Sequence, residues 1–194
     1  MPGLAVAAGL AVSPRSAARV FGGPILQLDA EGLARAVLGA CALACVCALS
    51  AALLIQHFGG LQPCAWCVFQ RGIYLLIAAV CALGALAPGG RGVRAVALVA
   101  ADLLAAGGLA AALFHNFVAA RPGGCGVTIA DKFLMWSGLW ETVPWMFNAT
   151  APCDEANAPL LGIPFALWSA ALFAMLGAAA ATGLVQLLRA RARA

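Results

Sequence analysis

Charged side chains are scarce in this sequence of 194 residues. They make up 9% of the chain, whereas 64% of the residues are hydrophobic. A soluble domain of this size carries about 25% charged residues, so this chain has too few polar groups to cover a surface that faces water. The deficit excludes an ordinary soluble domain and favours a membrane protein.

Long hydrophobic runs without alternating polar positions take the place of that polar surface. A helix needs roughly 20 apolar residues to span a bilayer, and only helices and closed barrels satisfy their backbone in lipid. Uninterrupted runs predict helices, and four are long enough: about 36–56, 65–87, 95–117 and 164–188. We therefore expect an all-α membrane protein, a four-transmembrane-helix bundle formed by one domain over residues 33–188.

The basic residues predict how the bundle is oriented. Eight of the eleven lie before the first run, between the second and third, or after the fourth: Arg15, Arg19, Arg35, Arg91, Arg94, Arg189, Arg191 and Arg193. Basic residues accumulate on the cytoplasmic side, so we expect both termini in the cytoplasm and the loops 57–64 and 118–163 outside. The net charge of +4 reflects this topology and does not indicate a nucleic-acid partner.

The two ends of the chain lie outside the predicted bundle. Residues 1–12 are apolar but are followed, not preceded, by basic residues, which is the reverse of a secretory signal. We interpret residues 1–32 as a cytoplasmic N-terminal tail and residues 189–194 as a basic cytoplasmic C-terminus.

The eight cysteines fall into two groups. Four lie within the predicted spans, where a buried thiol packs as a small hydrophobe: Cys41, Cys45, Cys47 and Cys81. Four lie at or in the outer loops, on the side where disulfides persist: Cys64, Cys67, Cys125 and Cys153. An even number of cysteines on that side suggests two disulfides.

The motif Pro63-Cys64-Ala-Trp-Cys67 opens the second span. A cysteine pair at a helix start gains from the helix dipole, which favours the thiolate, the attacking species in disulfide exchange. Arg71 follows at offsets of four and seven, which place it on the same helix face as both cysteines. We expect it to stabilise a thiolate, the alternative being an arginine that reaches out to the lipid headgroups.

The second outer loop contains an apolar stretch over residues 133–147 with three tryptophans, too short to span the membrane. Tryptophan prefers the membrane interface, so we expect a long periplasmic loop that carries a short interfacial helix. A packed cap over the helix ends is the compatible alternative.

Several of these motifs resemble the DsbB family of bacterial disulfide bond formation proteins over roughly residues 36–188. The similar features are Gln56-His57, the motif from Pro63 to Arg71, His115, the loop from Trp136 to Cys153 with Leu139, Val143-Pro144 and Phe147, and the stretch from Leu161 to Trp168. The resemblance implies a protein of the bacterial inner membrane that reoxidises a periplasmic DsbA-like thiol oxidase.

The resemblance also implies a path for the electrons. A Cys125–Cys153 disulfide would be attacked by reduced DsbA, and its electrons would pass to Cys64–Cys67 by thiol–disulfide exchange. Cys67 would be the thiolate close to a quinone, with Cys64 the cysteine open to exchange.

The cofactor that the resemblance implies is a quinone, either ubiquinone or menaquinone, which would pass the electrons to the membrane quinone pool. Arg71, His115 and His57 are the residues expected around its head group.

Three alternatives remain at this point. The four outer cysteines could hold zinc, but the chain contains a single Cys-x-x-Cys and its second pair is 28 residues apart, so no metal site is expected. The disulfides could instead be structural parts of a membrane scaffold, or the oxidase could serve a dedicated partner. Asp102, inside the third span, is a functional candidate because acids are rare within membranes, but its position near the cytoplasmic end favours hydration or pairing with a base such as Arg94.

Overall fold

The structure, a computed structural model, describes residues 29–121, 124 and 128–192. The predicted N-terminal tail therefore lies almost wholly outside the described residues. The helices are α1 (Ala30–Gly59), α2 (Ala65–Leu86), α3 (Arg91–Phe114), which continues as a π-helical segment (His115–Ala119), α4 (Ile129–Ser137), α5 (Leu139–Thr142), α6 (Pro144–Phe147), α7 (Cys153–Ala156) and α8 (Phe165–Ala192). Two short antiparallel strands, β1 (Pro159–Leu160) and β2 (Ile163–Pro164), precede α8.

Four of these helices are long and apolar enough to cross a membrane: α1, α2, α3 with its π-helical segment, and α8. The four-helix membrane bundle expected from the hydrophobic runs is confirmed. The helices extend beyond three of the four predicted spans because a helix continues past the apolar stretch that lipid requires. We call the end of the bundle that carries residues 60–64 and 128–164 the cysteine end.

Local sequence determines where the helices begin and end. The Asp29 side chain caps α1 by accepting a hydrogen bond of 2.8 Å from the Gly32 amide. At the other end of α1, Gly60 adopts a left-handed conformation (φ 74°) that a residue with a Cβ rarely takes. Pro88 follows the C-cap residue of α2, Ala87, and proline is common just after a helix because it cannot continue one.

Small residues bring the long helices together. A Cβ at Gly108 of α3 would overlap the ring of Phe173 in α8, and one at Gly84 of α2 would overlap Ala97 of α3. Such close approach is the usual way in which membrane helices gain packing contacts. Phe173 is fully buried and stacks on Tyr74 of α2 with ring centroids 4.2 Å apart.

The predicted interfacial helix is three short helices, α4 to α6. Gly138, with a φ of 63°, separates α4 from α5, and Pro144 begins α6. Within this segment, the side chains of Leu134, Met146 and Phe147 are buried, whereas Trp136 is 84% exposed. The segment is therefore a packed cap at the cysteine end, and the membrane-surface position of its exposed tryptophan stays a prediction.

At the opposite end, Arg94 pairs with Glu31 at 2.6 Å, and Arg91 lies 3.9 Å from the same carboxylate. Among the described residues Arg94 forms its ion pair with Glu31 at the start of α1 and not with Asp102, so of the two expectations for Asp102 hydration stays a prediction.

Of the cysteines expected to pack within the spans, three are buried, whereas Cys47 lies on the outer surface of α1 and is exposed. The three buried ones are Cys41, Cys45 and Cys81.

Candidate active site

The Cys64–Cys67 pair lies at the start of α2. Both cysteines are free thiols, and the Cys64 thiol donates a hydrogen bond of 3.4 Å to the sulfur of Cys67. Cys64 is the N-cap residue, and its carbonyl accepts the amide of Val68 at 3.0 Å, the first hydrogen bond of the helix. One helical turn thus holds the two sulfurs within reach of each other.

The solvent accessibility of the two cysteines differs from the sequence-based expectation. Cys64, expected to be the cysteine open to exchange, is 1% exposed, whereas Cys67 is half-buried. The hydrogen bond to Cys67, and then burial, raise the pKa of the Cys64 thiol, and the opposing hydrogen bond from His115 does not outweigh them. The Cys64 thiol is the donor of the hydrogen bond between the two cysteines, and the Cys67 sulfur is its acceptor.

His115 lies directly against Cys64. It begins the π-helical segment, is fully buried, and places Nε2 3.4 Å from the Cys64 sulfur and 3.3 Å from the carbonyl oxygen of Cys153. π-helical turns within α-helices are rare and occur frequently at functional sites. Here the wider turn places a titratable side chain between two cysteine-bearing segments.

Backbone hydrogen bonds hold the Cys153 segment against the start of α2. The amides of Thr150 and Ala151 both donate to the Pro63 carbonyl, at 3.0 and 3.2 Å. Cys153 is buried and disulfide-bonded, so in this state its sulfur is not a thiolate that could join a four-cysteine zinc site. Cys125, the partner expected from the resemblance, lies outside the described residues.

Arg71 is buried between three segments of the chain. One guanidinium nitrogen, Nη1, donates hydrogen bonds of 2.7 Å to the Gln56 side-chain oxygen and to the Met146 carbonyl. Only 6% of the arginine is exposed, and these contacts exclude an arginine that reaches out to lipid headgroups. A charged hydrogen bond contributes about 1.5–3 kcal/mol, so Arg71 ties α1 and α6 to α2.

A cavity of about 240 Å³ opens beside these groups, and its wall includes Cys67, Gln70, Arg71 and His115. Most of its remaining wall is apolar and comes from α1, α2 and α8. Gln70 is buried, and its Nε2 has no hydrogen-bond partner among the described residues. The cavity therefore joins a thiol, a cation and a spare donor in an apolar surrounding.

Not every residue expected at the site reaches it. His57 is exposed and does not line the cavity, whereas the preceding Gln56 is buried and contacts Arg71. Gln70 and Tyr74 also line the cavity and were not expected there. The sequence signal that could have found Gln56 and Gln70 is that each is a polar residue at the edge of a hydrophobic run.

Fold and site together define a polytopic membrane protein with a thiol pair beside a buried histidine and arginine. Comparison with known families agrees, since the sequence model of the family "Disulfide bond formation protein DsbB" matches residues 34–183. The chain belongs to this family, whose members act in disulfide bond formation in a membrane.

Individual relatives are similar over most of their length. The disulfide bond formation protein B of Polaromonas naphthalenivorans is 32% identical in an alignment of 175 positions, which covers 81% of this chain and 95% of the relative. That of Herminiimonas arsenicoxydans is 31% identical over 140 residues, 72% of this chain and 87% of the relative. Disulfide bond formation protein B 1 of Pseudomonas savastanoi is 33% identical over 132 residues, which are 68% of this chain and 78% of the relative.

Proposed function

We propose that this protein is a quinone-dependent protein-disulfide oxidoreductase of the bacterial inner membrane that reoxidises a periplasmic DsbA-like thiol oxidase. The observation that carries the proposal is the contact of His115 with both Cys64 and the Cys153 segment, next to the cavity lined by Cys67 and Arg71. The cysteine end then faces the periplasm and both termini face the cytoplasm, in agreement with the distribution of basic residues.

The first step transfers two electrons from the partner. A thiolate of reduced DsbA-like protein attacks the Cys125–Cys153 disulfide, and the partner's second thiol then displaces the mixed disulfide. The partner leaves oxidised, and Cys125 and Cys153 are left as thiols.

The second step passes the electrons to the cysteine pair of α2. The Cys153 thiolate attacks the sulfur of Cys64 in a Cys64–Cys67 disulfide, so that a Cys64–Cys153 bond forms and Cys67 leaves as a thiolate. Cys125 then attacks Cys153, which restores the Cys125–Cys153 disulfide and releases Cys64.

His115 assists this exchange as a proton carrier. Its Nε2 lies 3.4 Å from the Cys64 sulfur and 3.3 Å from the Cys153 carbonyl, so it can return a proton to Cys64 when that sulfur leaves. General acid–base groups act over such hydrogen-bond distances.

The cavity suits the head group of a quinone. Its apolar wall fits a flat ring, and the unpartnered Gln70 amide together with the Arg71 guanidinium supplies donors for carbonyl oxygens. A quinone bound there, ubiquinone or menaquinone, would be held by Gln70 and Arg71 and would supply the two-electron oxidant that the reduced Cys64–Cys67 pair requires, with the quinone pool as the final acceptor. Cys67, in the cavity wall, is the thiol placed to give up its electrons there.

The test uses purified protein in lipid nanodiscs, a reduced DsbA-like partner and added quinone. We expect partner oxidation and stoichiometric loss of quinone absorbance, both abolished in Cys64→Ser and in Cys67→Ser. Cys47→Ala, which changes an exposed thiol away from the site, should keep full turnover. Partner oxidation that continues in Cys67→Ser, or that consumes no quinone, would contradict the proposal.

A further inference from the structure

Three metal-ligating atoms converge at the start of α2. The sulfurs of Cys64 and Cys67 and a ring nitrogen of His115 all lie within 4.8 Å of one another. The two sulfurs are 3.4 Å apart, and Cys64 is 3.4 Å from His115 Nε2. Tetrahedral zinc, with bonds of about 2.3 Å to sulfur and 2.0–2.1 Å to nitrogen, separates its ligands by about 3.8 Å and about 3.5 Å. The two separations that involve Cys64 match that geometry to within tenths of an ångström, and the third, between the Cys67 sulfur and the His115 nitrogen, lies within 4.8 Å and would shorten around a bound ion.

We propose that the reduced Cys64–Cys67 pair and His115 form a capture site for a thiophilic divalent cation such as Zn²⁺, which stops turnover while it is bound. Binding forms two metal–sulfur bonds and one metal–nitrogen bond and releases the two thiol protons, with no change in oxidation state. Two thiolates balance the charge of a divalent ion, which suits a site close to the Arg71 guanidinium. The inhibition rests on the proposed oxidase function, whereas the binding does not.

Oxidation controls the site. A Cys64–Cys67 disulfide leaves no thiolate for the ion, so the metal and the two-electron oxidant compete for the same reduced pair. The captured ion holds the pair reduced, and removal of the ion restores turnover.

The histidine makes this a site for reversible binding. Histidine ligands almost always donate their second ring N–H to a partner, which strengthens the metal bond. His115 Nδ1 is buried and has no such partner among the described residues. A binding site without that support releases its ion more readily than a structural zinc site, as a regulatory site requires.

The decisive experiment measures Co²⁺ binding to the full-length protein in nanodiscs, without quinone or DsbA-like partner. For the reduced protein we expect one ion per chain, thiolate-to-cobalt charge-transfer bands, and displacement of Co²⁺ by Zn²⁺. Protein whose Cys64–Cys67 pair is oxidised should bind none. Binding that is equal in the two redox states would overturn the proposal.

Variants identify the ligands. Cys64→Ser should abolish the charge-transfer bands, and His115→Ala should weaken binding at least about tenfold, since even an outer-shell change costs 10–100-fold. His115→Asn, which keeps a polar side chain in the buried position, should weaken it similarly and guards against misfolding. Unchanged affinity in either histidine variant refutes the role of His115.

Two further variants separate this site from other cysteines. Cys41→Ala should leave binding unchanged, because Cys41 does not belong to the cluster. Cys153→Ser should also retain binding, and a loss there would favour the four-cysteine site and overturn the three-ligand site.

Because the binding assay requires no turnover, its failure is distinct from failure of the oxidase function. Turnover in metal-free buffer tests the oxidase alone. Turnover with added Zn²⁺, and again after a chelator, tests the inhibition. Full activity at a Zn²⁺ concentration that saturates the site would refute the regulatory part of the proposal.

Discussion

Gln56 and His57 are neighbours at the end of α1, and the structure gives them different roles. Gln56 is buried and its side-chain oxygen accepts a 2.7 Å hydrogen bond from Arg71, whereas His57 is exposed. We predict that Gln56→Leu weakens quinone binding and that His57→Ala does not. Gln56→Leu removes one of the two acceptors that the described residues offer to Arg71 Nη1 and leaves the Met146 carbonyl.

The strength of the lost hydrogen bond sets the size of this effect. A hydrogen bond to a charged group contributes about 1.5–3 kcal/mol, and each 1.4 kcal/mol corresponds to a factor of about ten. If the whole of that energy holds Arg71 towards the cavity, the KM for quinone rises about tenfold to about a hundredfold. Gln56 contacts Arg71, and within the part of the chain that the structure describes no hydrogen bond joins it to a cysteine. It is therefore a positioning residue, and kcat at saturating quinone should change much less than KM.

The assay is steady-state oxidation of a reduced DsbA-like partner over a range of quinone concentrations. Gln56→Glu keeps an oxygen acceptor for Arg71 and should retain a KM close to that of the unaltered protein. A KM that rises equally in His57→Ala, or that stays unchanged in Gln56→Leu, would refute the assignment of Arg71 to the quinone cavity. An equal loss in Gln56→Glu and Gln56→Leu would point to a packing role instead.

The same two residues show which features of the fold can be predicted from the sequence and which cannot. Hydrophobic runs identified all four spanning helices, because the bilayer demands a minimum apolar length whatever the helices contact. Neither runs nor charges say which way an end residue faces. Successive residues on a helix are rotated by about 100°, so Gln56 and His57 point to different sides, and tertiary packing decides which of them is inside.

The site shows a similar division between local and distant relations. The offsets from Cys64 and Cys67 to Arg71 follow from helical periodicity and could be predicted. The contact of His115 with Cys64 joins residues 51 positions apart, and that of Arg71 with Met146 joins residues 75 apart. Such pairs depend on how α3 and the cap pack on α2, which no local pattern encodes. The burial of Cys64 was missed for the same reason, because His115 from α3 lies against its sulfur and the amides of Thr150 and Ala151 bond to the neighbouring Pro63.

The remaining predictions concern packing and thiol reactivity. Gly108→Ala should lower the free energy of unfolding by about 1–3 kcal/mol, since the added methyl overlaps Phe173. Denaturation in detergent measures this change, and Gly107→Ala, with open space around its Cβ, is the matched control. Equal losses of stability in the two variants would disprove close packing at Gly108. In the reduced protein Cys67 should be alkylated before Cys64, as read by mass spectrometry of the two peptides. The hydrogen bond to Cys67, and then burial, raise the pKa of Cys64, so the alkylation of Cys64 should accelerate only as the pH rises above the ordinary thiol range. Faster labelling of Cys64 than of Cys67 at neutral pH would contradict the burial of Cys64.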